Sequence, residues 1–82
     1  DNTMNVVNLL KILLRMKSVE LRVAAKLIAT TKDLETIACE KNPDVPALKG
    51  WRRQIFGLEA LKLKEGKIAL SVKGHGIKIV NV

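Results

Sequence analysis

Eighty-two residues suffice for one small domain with a single modest core. Trp51 and Phe56 are the only aromatic residues, so that core must be built mainly from Leu, Ile, Val and Ala. A net charge of +7 implies a polyanionic partner, of which nucleic acid is the commonest. No apolar run approaches the roughly 18–20 residues that span a bilayer, so no membrane partner is expected, and Asp1-Asn2-Thr3 does not open a signal peptide. The lone Cys39 cannot form an internal disulfide. It fits a reducing cytoplasmic setting and is expected as a small buried residue near a helix end.

Residues 4–23 predict the longest helix. Val6, Leu9, Leu10, Leu13 and Met16 recur at helical steps, with Val7 and Leu14 widening the stripe. Asn8, Lys11, Arg15, Ser18 and Arg22 form the opposite line. The apolar run 26–29 predicts a short extended segment that could join a sheet. Thr30-Thr31-Lys32-Asp33 then reads as a helix start with Asp33 in the first turn, and Leu34, Ile37 and Ala38 predict a short amphipathic helix ending near Glu40. After a break at Asn42-Pro43-Asp44, Pro46 suits the first turn of the next helix, with Asp44 as its candidate cap. Gly57 and Gly66 both read as helix stops. From residue 67 the period changes to two, because Ile68, Leu70 and Val72 alternate with Lys67, Ala69 and Ser71. With Lys73-Gly74-His75-Gly76 as a turn and Ile77-Lys78-Ile79 beyond it, this predicts a β-hairpin. The fold class expected is mainly α, a small helical bundle with a C-terminal β-hairpin, or α+β when the hairpin is counted.

The charge is uneven. Residues 1–30 hold five bases and two acids, residues 31–48 two bases and four acids, and residues 49–82 eight bases and two acids. Around Gly50-Trp51-Arg52-Arg53-Gln54-Ile55-Phe56-Gly57, a helical repeat puts Leu48, Trp51 and Ile55 on one face, leaving Lys49, Arg52 and Arg53 for solvent. Arginine presents a rigid fork of donors that suits phosphate. The candidate nucleic-acid-binding residues are therefore Lys49, Arg52, Arg53, Lys62, Lys64 and Lys67, with Lys11 and Arg15 on the first helix and Lys73 and Lys78 on the hairpin. With both aromatics assigned to the core, no exposed ring remains to stack bases, so phosphate-led binding is expected. A solvated basic face is the plainer alternative.

No catalytic constellation is visible. Asp33-Leu34-Glu35 has a spacing used for divalent metals, but residues two apart on a helix do not face each other. His75 lies between two glycines with no catalytic neighbour in sequence, and no Gly-rich loop matches a phosphate-binding fingerprint. The expectation is no catalytic residue, no metal and no cofactor in this chain.

The Gly50-Trp51-Arg52-Arg53 segment, the helix after it and the stop at Gly66 resemble the end of bacterial ribonuclease D. So do Asn8-Leu9-Leu10-Lys11-Ile12-Leu13-Leu14-Arg15 and the stretch from Ala24 to Glu35. The resemblance is to a domain of the helical type named for helicases and RNase D C-termini (HRDC). It implies that residues 1–82 are a single domain, an excised C-terminal fragment of a longer metal-dependent 3′→5′ exoribonuclease. It further implies an accessory RNA-binding role in tRNA 3′ processing, with catalytic carboxylates and divalent metal in an absent nuclease domain. Expected partners are tRNA precursors and the nuclease and first HRDC domains of the same chain. The alternatives are a module that packs on the nuclease domain without touching RNA, and a DNA-binding module of a helicase.

Overall fold

In the computed structural model, which describes residues 2–82, helix α1 runs from Asn2 to Leu21 and the other helices pack along it. Its buried side chains are Val7, Leu10, Leu13 and Leu14, the helical spacing of a core-facing stripe. It ends earlier than the apolar pattern predicts because Arg22 adopts the left-handed conformation, with φ 56°. The Val23 N–H returns to the Ser18 carbonyl at 3.2 Å, and the Ser18 hydroxyl donates to the Val23 carbonyl at 2.6 Å. That six-to-one closure is a Schellman-type stop.

Residues expected to be extended instead form a single helical turn, α2 (Ala25–Ile28). The Leu27 and Ala29 N–H groups bond back to the carbonyls of Ala24 and Ala25 at 2.9 and 3.0 Å. The turn drops Ile28 and Ala29 into the core and contributes nothing to the sheet, which contains two strands. Helix α3 (Thr31–Cys39) begins as the sequence predicts. The Asp33 N–H donates to the Thr30 hydroxyl at 3.1 Å and the Thr30 N–H donates to the Asp33 carboxylate at 3.2 Å, a reciprocal capping box. Leu34 and Ile37 are buried on this helix. Cys39, expected to be buried, is exposed, because two residues beyond Ile37 the helix faces the other way.

A 3₁₀ turn at Pro46–Leu48 has Pro at its start, but Val45 precedes it and no side chain caps it. Asp44, the expected cap, pairs with Lys49 instead. Helix α4 (Gly50–Arg52), a π-helical turn (Arg53–Gly57) and helix α5 (Leu58–Lys64) then follow without a break. Gly57, expected as a stop, therefore lies inside this helical run. A Cβ there would stand 2.5 Å from the Ala47 carbonyl oxygen and 3.0 Å from Leu48 Cδ2, so glycine is required for close approach rather than termination. Gly66 is a stop: its φ is 79°, and the Gly66 and Lys67 N–H groups close on the Leu63 and Lys62 carbonyls at 3.1 and 2.8 Å.

Strands β1 (Ile68–Lys73) and β2 (Gly76–Asn81) pair antiparallel, Lys73 opposite Gly76. Gly74, with φ 62°, supplies the positive φ that a two-residue hairpin turn needs at its first central position. The base of the hairpin joins the core through Ile68, with Leu70 and Ile79 packed against it, while residues 71–78 are exposed. The result is the expected mainly helical domain with a C-terminal hairpin.

The two aromatic residues do not share the core role that the sequence suggests. Phe56 is fully buried, whereas Trp51 is 46% exposed. A helical repeat that groups Leu48, Trp51 and Ile55 requires one uninterrupted helix. Leu48 belongs instead to the 3₁₀ turn, Gly50 redirects the backbone with φ 58°, and the π turn shifts the register. The core side of the run becomes Phe56, Ala60 and Leu63.

Candidate nucleic-acid interface

The cations fall into separate groups, each placed by a different element. Lys49 and Arg53 border a shallow groove of about 260 Å³ together with Lys41, Asp44 and Glu65. Lys49 Nζ lies 2.8 Å from an Asp44 carboxylate oxygen. Hydrogen bonding and then the charge of Lys49 hold the Asp44 carboxyl below its ordinary range. Arg53 donates to the Leu48 carbonyl at 3.5 Å. Lys67 pairs with Glu65 at 3.2 Å, and the Lys64 ammonium donates to the Glu40 carbonyl. Acids therefore offset part of this charge locally. Lys62 is exposed on α5 and forms no ion pair among the described residues.

Arg52 does not point freely to solvent as the helical repeat suggests. Its Nε–H donates to the Leu27 carbonyl of α2 at 2.8 Å, and its guanidinium carbon stands 4.5 Å from the Trp51 ring centroid. One arginine thus ties the start of α4 to α2 and covers part of an exposed indole. This corrects the expectation that no exposed aromatic lies beside the basic residues.

Lys11 and Arg15 come together one turn apart on α1. They line a groove of about 540 Å³ with Ser18, Lys26, Thr30 and Thr31. No carboxylate among the described residues lines this groove, and its three cations form no ion pair among them. Lys26 carries no signal in the sequence, since an extended 26–29 would hold it apart from α1; the helical turn at 25–28 brings it beside Lys11 and Arg15. On the hairpin Lys73 is exposed, and Lys78 lines a largely apolar groove of about 690 Å³ shared with Ile12, Arg15, Val19, His75 and Ile77.

Asp33 is engaged at the start of α3, and Glu35 is exposed. Among the described residues no three His, Cys, Asp or Glu side chains gather in a metal-holding group. None of their helices is long and apolar enough to cross a membrane.

Fold and surface together define a small, basic, mainly helical domain with a carboxylate-free groove. Its relatives are bacterial ribonucleases D. The chain is 54% identical to ribonuclease D of Granulibacter bethesdensis over 74 residues, 90% of this chain and 19% of that protein. It is 53% identical to ribonuclease D of Nitrobacter hamburgensis over 89% of this chain and 19% of the relative, and 43% identical to that of Acidiphilium cryptum over 93% and 19%. The chain thus spans about a fifth of the length of these relatives, and is homologous to that segment of bacterial ribonuclease D. No protein-family profile matches the chain, and no solved structure does.

Proposed function

We propose that this chain is an HRDC-type accessory domain that binds RNA for a ribonuclease D-like 3′→5′ exoribonuclease acting in tRNA 3′ processing. The observation that carries this reading is the groove lined by Lys11, Arg15 and Lys26, three cations with no acid in the same lining. Such a site neutralises phosphates and positions a backbone without reading bases. On this reading the fragment is one domain, 1–82, from the C-terminal part of a cytoplasmic enzyme. Cleavage belongs to a nuclease domain outside the chain, whose carboxylates hold the divalent ions, and this domain has no catalytic residue or cofactor of its own. Lys49, Arg52, Arg53, Lys62, Lys64 and Lys67 lie outside the lining of this groove and add positive charge elsewhere on the surface, part of it offset by Asp44 and Glu65.

Titration with tRNA at several salt concentrations tests the reading. Replacing Lys11, Arg15 and Lys26 together by Ala should weaken binding and flatten the log–log salt slope by about two to three, at about 0.7–0.9 for each phosphate no longer neutralised. Unchanged affinity and slope would set the groove aside. A second reading, a module that packs on the nuclease domain, is favoured by one observation. Ile12 and Val19 are 38% and 73% exposed on α1 and face the hairpin groove beside Ile77.

A further inference from the structure

Trp51 exposes nearly half its surface, although the domain has only one other aromatic side chain with which to fill its core. The Arg52 guanidinium lies over the ring at 4.5 Å and is itself hydrogen-bonded to the Leu27 carbonyl at 2.8 Å, so a held cation stands on one face of an indole that is 46% exposed. The same α2 turn that receives this hydrogen bond carries Lys26 into the groove with Lys11 and Arg15. The π-helical turn begins two residues after Trp51, at Arg53, and the register it imposes gives the core position to Phe56.

An indole backed by a cation and neighboured by phosphate-competent groups is the composition that captures an unpaired base. Stacking on an aromatic face is tolerant of base identity, because every base has a π-face. In a duplex those faces are occupied by neighbouring bases, so the platform distinguishes single-stranded from paired RNA. We infer that Trp51, backed by Arg52, is a stacking platform for an unpaired base of single-stranded RNA whose flanking phosphates are held by Lys26, Lys11 and Arg15. This rests on the RNA-binding reading above and names the form of RNA that the site takes.

Trp51 is the sole tryptophan, so its own fluorescence reports the contact. The full chain is titrated with a single-stranded oligoadenylate and with an RNA duplex of equal length, alongside Trp51→Leu and Trp51→Phe. Single strands should quench wild-type emission strongly and duplex weakly. Trp51→Leu should weaken single-strand binding about five- to hundred-fold, leaving the duplex affinity and the salt slope nearly unchanged, and Trp51→Phe should recover most of the loss. Single-strand binding without quenching, or with equal affinity in wild type and Trp51→Leu, overturns the platform while leaving the phosphate groove standing; Trp51 would then be assigned to a protein contact. No binding of either RNA by the wild-type chain overturns both readings. The quenching measurement needs only the wild-type protein, so a variant that fails to fold does not rescue the proposal.

Discussion

Phe56 and Trp51 sit five positions apart and have opposite relations to water. Phe56 is fully enclosed among the aliphatic side chains of the core. Phe56→Ala should therefore cost about 3–5 kcal/mol, from forfeited transfer energy and the cavity left behind. Trp51→Ala removes a ring that water already reaches and should cost about 1 kcal/mol or less. Urea unfolding of both variants measures the contrast directly. A Trp51→Ala loss as large as that of Phe56→Ala would mean that the indole is a core anchor after all. Arg52 belongs to the same residue-scale logic. Bound to Leu27 and stacked on Trp51, it is a bridge between two elements as well as a positive charge, so its removal would change structure and binding together.

At the scale of elements, the irregular helical run from Gly50 to Lys64 decides how the domain is built. A continuous α-helix would carry Trp51 and Ile55 on one face. The π turn instead seats Gly57 against the backbone of the 3₁₀ turn, where an added Cβ would meet the Ala47 carbonyl at 2.5 Å. That oxygen is main chain and cannot rotate away. Gly57→Ala should thus destabilise the domain by about 1–3 kcal/mol through overpacking, although alanine is intrinsically the better helix former. A thermal melt at or above that of the wild type would show that the two turns can separate without loss.

At the scale of the whole molecule, α1 is held to the end of the helical run by more than apolar packing. Lys17 Nζ lies 2.5 Å from a Glu59 carboxylate oxygen, with the two side chains only 16% and 32% exposed. Partly enclosed pairs are screened less than surface ones. Glu59→Gln should cost about 1 kcal/mol, with a difference from wild type that persists in moderate salt. A double-mutant cycle with Lys17→Met isolates the pair, and a coupling energy of zero would leave apolar packing alone to join α1 and α5. The same global arrangement separates the cations into a carboxylate-free groove on one part of the surface and an acid-bordered groove on another. Net charge by itself does not distinguish these environments.

Much of this protein follows from local pattern. The long helix, the capping box at Thr30 and Asp33, the stop at Gly66 and the hairpin are each set by interactions within a few residues, so their residue types announce them. The basic character and the kinship with ribonuclease D are likewise carried by the order of residues alone. Tertiary structure decided the rest. Whether residues 25–28 extend or coil depended on the space beside α1 that Ile28 and Ala29 fill. Whether Gly57 ended a helix depended on Ala47, ten residues away. Trp51 was exposed because Gly50 and the π turn broke a periodicity that requires straight α geometry, and Lys26 joined Lys11 and Arg15 because α2 folded back on α1. Short-range hydrogen bonding and side-chain period are written along the chain. Which aromatic is enclosed, and which cations meet without an acid between them, depend on packing between elements distant in sequence, which local pattern does not encode.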